Sequence, residues 1–131
     1  MLSQREMPRP LTVLVVEDDP GVRDFMAAWL DAEGYEVRTA NNGYEALIAL
    51  NDEIPCIMVV DLKMPGMGGA ELRRRTQDIP ELAAVPFVIV SAEADAEQIG
   101  RDLHVDAVVP KPFDAIRLSE VVASHCHRPH S

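Results

Sequence analysis

Cysteine is nearly absent from this chain: Cys56 and Cys126 are its only two in 131 residues. Two thiols do not make the disulfide framework of a small secreted domain. Cys56 is instead expected to pack as a small apolar group. Long hydrophobic runs are also missing. No apolar stretch approaches the roughly 20 residues that a membrane-spanning helix needs. The start, MLSQREMPRP, has no apolar core behind its charges and does not read as a secretory signal. Together these absences lead us to expect a cytoplasmic protein without membrane insertion. Glycine numbers seven, and none forms a Gly-rich phosphate loop after the first apolar run, which argues against nucleotide binding. An excess of positive charge is lacking too. At a net charge of -10 the surface repels a phosphate backbone, so direct nucleic-acid binding is not expected.

What is present suits one globular domain: 47% hydrophobic and 26% charged residues, a chain long enough for its own core. Residues 1–9 carry two prolines without periodicity and are expected to form a flexible leader, residues 10–124 the domain, and residues 125–131 a flexible polar tail. Leu11–Val16, Ile57–Val60 and Phe87–Val90 are continuous apolar runs, the pattern of strands covered on both faces. Tyr35–Thr39 and Asp106–Val109 read as two further strands. Between them fall helical stretches. In the first, Pro20 suits the opening turn, Asp19 the N-cap, and Val22, Phe25, Met26, Trp29 and Leu30 form one stripe, with Gly34 as its end. Tyr44–Asn51, Ala70–Thr76, Ala94–Leu103 and Asp114–Ser124 complete the series. Ile116, Leu118, Val121 and Val122 are expected to face inward. Arg73, Arg74 and Arg75 read as a solvated basic face. Five βα units in sequence imply an α/β fold, a parallel sheet with helices on both faces.

The polar residues follow the strands. Glu17 and Asp18 stand at the end of the first strand, Asp61 at the end of the third, Ser91 of the fourth, and Lys111 just past the fifth. In open α/β sheets ligands bind at these carboxyl ends, where the strand order reverses. For the order 2-1-3-4-5 that point lies between the first and third strands. Three carboxylates gathered there repel one another, and a divalent cation relieves the repulsion. Mg²⁺ takes oxygen ligands and keeps several waters, and Mn²⁺ would also serve. Asp18 and Asp61 are candidate direct ligands, with Glu17 acting through water and a backbone carbonyl past Asp61 completing the set. An aspartate is a competent nucleophile toward phosphorus. Lys111 and Ser91 are suited to hold phosphoryl oxygens.

Four segments, LVVEDDPGVR, VVDLKMPGMGG, VIVSA and VVPKPF, span residues 11–113 in order. With them the chain resembles the response-regulator receiver domains of two-component signalling, and is similar to the chemotaxis regulator. That resemblance implies the doubly wound, flavodoxin-like (βα)5 fold with five strands in the order 2-1-3-4-5. It implies that Glu17 and Asp18 are the acidic pair, Asp61 the phosphoacceptor, Ser91 the switch hydroxyl and Lys111 the site lysine. The Lys63 carbonyl is the remaining metal ligand, and the Lys111-Pro112 bond is often cis. It further implies a regulator rather than a dedicated enzyme, catalysing only its own phosphorylation and slow dephosphorylation. The phosphoryl group would come from a sensor histidine kinase or a histidine phosphotransfer protein. A downstream protein or output domain would respond, with dimerisation through the face of the fourth helix, fifth strand and fifth helix.

The chain departs from the family in two places, and carries a particular pair at two variable positions. Val108 stands where an aromatic residue is usual, which puts the output switch in doubt. Gly68 stands where many relatives have Asp, and is expected to add flexibility. Lys63 and Glu93 occupy positions that tune phosphoryl lifetime. Two other readings stay open. A haloacid-dehalogenase-type phosphatase would need a second acid two residues after Asp61, where this chain has Lys63. A flavodoxin-like interaction module with a decayed site is the other.

Overall fold

A computed structural model describes residues 10–127. The expected leader, residues 1–9, and the last four residues of the tail lie outside the described residues. Eleven elements follow one another: β1 (Thr12–Val16), α1 (Pro20–Ala32), β2 (Glu36–Ala40), α2 (Gly43–Asp52), β3 (Ile57–Asp61), α3 (Gly69–Gln77), α4 (Pro80–Ala83), β4 (Phe87–Ser91), α5 (Ala96–Asp102), β5 (Ala107–Pro110) and α6 (Ala115–His125). The strands form one parallel sheet in the order β2-β1-β3-β4-β5. This is the flavodoxin-like (βα)5 arrangement expected from the sequence, and element boundaries differ from expectation by a residue or two. Pro80 starts an element that the βα count did not include. It opens the one-turn helix α4, where a ring at N1 costs no backbone hydrogen bond.

Side chains alternate along each strand, so each strand feeds both layers. Val13, Val15, Ile57, Val59, Val88 and Val90 point toward α1 and α6, where Met26, Leu30, Leu118, Val121 and Val122 meet them. Leu14, Val16, Met58, Val60, Phe87 and Ile89 point the other way, against Ala46, Leu50 and Leu72. The three central strands are therefore apolar at nearly every position. Helix ends are set by local chemistry. Asp19 accepts from the Val22 amide at 3.0 Å and Asn42 from the Glu45 amide at 2.9 Å, and Gly34 takes φ +99° after α1.

Four expectations about individual residues change. Ile116 is mostly exposed, and so is Phe25, which instead stacks on Trp29 and meets Phe113 at a tilt near the surface. Arg73 is not solvated. It is buried, its Nε donating to the Leu103 carbonyl at 3.1 Å and its Nη2 to the His104 carbonyl at 2.7 Å, with the guanidinium over the Phe87 ring. Three consecutive arginines on a helix cannot all face one way, and Arg73 falls on the sheet side with Leu72 and Thr76. Burial pulls its guanidinium below the ordinary arginine value, partly opposed by the charge of Asp106. Lastly, Cys56 does not pack as an isolated apolar side chain: it is joined to Cys126, beyond the end of α6.

Candidate functional site

Glu17, Asp18, Asp61, Ser91 and Lys111 collect at the carboxyl edge of the sheet. Asp61 closes β3, beside Val90 in the register with β4. Glu17 follows β1, and its amide donates to the Ala40 carbonyl of β2 at 3.0 Å. Ser91 closes β4, and its carbonyl accepts from the Lys111 amide at 2.8 Å. These main-chain bonds fix the backbone beneath each functional side chain. The Lys111-Pro112 bond is cis.

Glu17, Asp18 and Asp61 each offer a carboxylate oxygen, and the three oxygens lie within 4.8 Å of one another. Glu17 and Asp61 are buried while Asp18 is exposed. An all-oxygen donor set with one side open suits a hard cation that retains water, Mg²⁺ before any sulfur- or nitrogen-seeking metal. Both Glu17 oxygens already have protein partners. One pairs with the Lys111 ammonium and the other accepts from the Asp19 amide at 3.2 Å. That commitment leaves Asp18 and Asp61 as the carboxylates free to bind a cation directly, with Glu17 in reach through water.

Lys111 also lies 3.5 Å from an Asp61 oxygen. Sequence reasoning assigned it to phosphate alone and missed its bond to Glu17; no local pattern links residues 94 positions apart. Burial pulls the Lys111 ammonium down, but the Glu17 hydrogen bond and the charges of Asp61 and Glu17 outweigh it, and its pKa is raised. A raised folded-state value gives stability that is complete below the unfolded lysine value of about 10.4 and lost only as pH climbs through the folded one. This ion pair therefore holds across the neutral range.

Ser91 is buried, and its hydroxyl oxygen accepts from the Glu93 amide at 3.0 Å. Its proton remains available to donate. Across the mouth of the site, Lys63 pairs with Glu93 at 3.3 Å. The loop from β3 to α3, which carries Lys63, is pinned by bonds from the Gly69 amide to the Leu62 carbonyl and from the Gly43 amide to the Met67 carbonyl.

Two glycines form the floor of that loop. Gly68 takes φ -86°, open to any residue, so its value is not freedom of the backbone. It is close approach: a Cβ there would come 2.6 Å from the Leu62 carbonyl oxygen. At Gly69 a Cβ would come 2.5 Å from the carbonyl oxygen of Asp61 itself. Gly69→Ala is therefore expected to cost roughly 1–3 kcal/mol, read by urea denaturation, and to shift the Asp61 amide resonance.

With this geometry in place, the comparisons agree on one class. Residues 13–123 match the family described as response regulator receiver domain, and the chain belongs to it: it is a phosphoacceptor signalling domain of two-component regulation. It is 31% identical to sporulation initiation phosphotransferase F of Bacillus subtilis over 113 residues, 86% of this chain and 91% of that protein. It is 33% identical to the phosphate regulon transcriptional regulatory protein PhoB of Rhizobium meliloti over 118 residues, 88% of this chain but only about half, 52%, of that protein. The crystal structure of Vibrio cholerae chemotaxis protein CheY4 superposes with a TM-score of 0.83 at 25% identity, covering 89% of this chain and 99% of that one. None of these three favours the phosphatase or decayed-module readings. Among the described residues no helix is long and apolar enough to cross a membrane.

Proposed function

We propose that Asp61 is the phosphoacceptor and that Glu17, Asp18, Asp61 and the Lys63 carbonyl hold Mg²⁺, or Mn²⁺ in its place. The observation that carries this reading is the convergence of three carboxylate oxygens within 4.8 Å, with the Lys111 ammonium 3.5 Å from Asp61. A bound Mg²⁺ supplies charge neutralisation for the incoming phosphoryl oxygens. The chain's own residues do the rest. The Asp61 carboxylate attacks phosphorus and the donor's imidazole leaves, giving an acyl phosphate. Lys111, already aimed between Glu17 and Asp61, turns toward the new phosphoryl oxygens, and the Ser91 hydroxyl donates to another.

The donor is a sensor histidine kinase or a histidine phosphotransfer protein in the cytoplasm. An open apolar hollow of about 530 Å³ beside Lys111, lined by Val22, Phe25, Pro112 and Phe113, favours a protein donor over a small molecule. The domain catalyses only its own phosphorylation and slow dephosphorylation. Residues 10–124 act as the signalling unit. Phosphorylation shifts the population toward a state in which Ser91 closes on the phosphoryl group and the α5–β5–α6 face rearranges. That face then binds a downstream protein or output domain, or a second copy. Val108, in β5, fills the place of the usual aromatic switch, so the rearrangement runs through side chains other than a swinging ring.

Incubation with Mg²⁺ and acetyl phosphate, followed by intact mass and amide NMR, tests the reading. One phosphoryl mass gain that requires Mg²⁺ is expected; no adduct and no Mg²⁺-dependent shift would sink it. The Lys63–Glu93 pair governs how long the phosphoryl group lasts, by narrowing the path of attacking water. Lys63 is 77% exposed, and such a pair is worth about 0.2–1 kcal/mol. Lys63→Asn should therefore speed dephosphorylation by only about 1.5- to 5-fold. An unchanged decay rate would remove the pair from the mechanism.

A further inference from the structure

We propose that Cys56 and Cys126 form a reversible thiol–disulfide site that clamps the end of α6 to the sheet, exchanging with low-molecular-weight thiols. Cys56 precedes β3 and Cys126 follows α6, 70 positions away in sequence, yet their Cα atoms are 4.9 Å apart. That is within the span a disulfide bridges. The Cys56 amide donates to the Thr12 carbonyl and the Cys126 amide to the Val122 carbonyl, each at 2.8 Å. Both backbones are therefore held by their own partners.

Three further observations favour a reversible site over a structural staple. First, the fold has a complete core on each face of the sheet, so it does not need a covalent clamp as small secreted domains do. Second, both sulfur-bearing residues sit with the apolar cluster beneath α6. Thiols rest there as comfortably as a disulfide. Third, access is one-sided. Cys126 is 5% exposed, whereas Cys56 is partly exposed and lines an open groove of about 620 Å³ with Pro55, Val85, Pro86 and His127. Exchange therefore begins at Cys56.

Oxidation proceeds in two steps. The Cys56 thiolate attacks one sulfur of a small disulfide, forming a mixed disulfide and releasing one small thiol. The Cys126 thiolate then attacks the Cys56 sulfur, closing the protein bond and releasing the second. Two protein thiols and one small disulfide become one protein disulfide and two small thiols. Two electrons pass to the small molecule, and the protons lost by the two protein thiols end on the released thiols. The bond lies at the amino end of the sheet, opposite Asp61. Its opening frees the last turn of α6 and leaves the acidic site alone.

The test equilibrates the whole native chain in glutathione buffers of graded ratio, followed by acid quench, alkylation in denaturant and intact mass. Two alkylated cysteines under reducing buffer and none under oxidising buffer are expected. Reduction should lower Tm by about 10 °C and speed amide exchange in residues 122–126, with acetyl-phosphate labelling equal in both states. Cys56→Ser should match the reduced protein in both buffers. Thiols still alkylated after oxidising buffer would overturn the proposal. So would a bond that yields to reductant only in denaturant, or α6 exchange that ignores the redox state.

Discussion

Asp61→Asn abolishes the phosphoryl mass gain, to below detection, while Mg²⁺, acetyl phosphate and the fold are all unchanged. The amide is nearly the same shape as the carboxylate, and β3 is held by backbone bonds on both sides, so folding is retained. What is lost is the anionic oxygen that attacks phosphorus; an amide oxygen is not a useful nucleophile there. The variant also loses one negative charge beside Lys111, but the Lys111–Glu17 bond remains, and Tm should move by only a few degrees. Intact mass and circular dichroism together check this. Asp18 is the informative bystander. It is exposed and its oxygen lies within 4.8 Å of the Asp61 carboxylate, so it is the nearest alternative acceptor. An adduct that survives Asp61→Asn and maps to Asp18 would overturn the assignment of the nucleophile while leaving the site itself in place.

The sequence exposed the site well because Glu17, Asp61 and Ser91 each end an apolar run, and an apolar run of that length has few ways to fold. Once β1, β3 and β4 are parallel and buried on both faces, Glu17, Asp61 and Ser91 must meet at one edge. The residues that were misread share a different trait: their partners are distant in sequence and no periodicity announces them. Arg73 belongs to a run of three arginines, and only the helix phase decides that it turns inward to carbonyls 30 and 31 positions away. Cys56 and Cys126 flank no motif. Gly68 was misread for another reason: its neighbour, the Leu62 carbonyl, is near in sequence, but only the folded loop brings that carbonyl within reach of an absent Cβ. Ile116 and Phe25 show the converse: helical spacing marks an apolar stripe, but its outer edge stays in water where no neighbouring element covers it.

Phe87→Ala is expected to destabilise the domain by about 3–5 kcal/mol, the largest stability effect of any single truncation considered. Phe87 opens β4 and is fully buried, and its ring fills the layer between the sheet and α3. Truncation leaves a cavity that the flanking strands, held in register on both sides, cannot close. A second loss follows. The Arg73 guanidinium stands 5.3 Å from the ring centroid, and its Nη1 is buried without a hydrogen-bond partner in the protein. The ring face is thus part of what makes a buried cation tolerable here. With total stabilities near 5–15 kcal/mol, the variant falls toward the unfolding threshold. Phe87→Leu refills most of the volume but offers no π face. Set in a cycle with Arg73→Met, it isolates the cation–ring term, expected at about 0.5–2 kcal/mol. Urea denaturation of the four proteins gives the coupling directly. A coupling of zero would mean that the two carbonyls of Leu103 and His104 alone hold Arg73. A measurable one means that the Phe87 ring helps hold Arg73, and with it joins α3, β4 and the loop after α5.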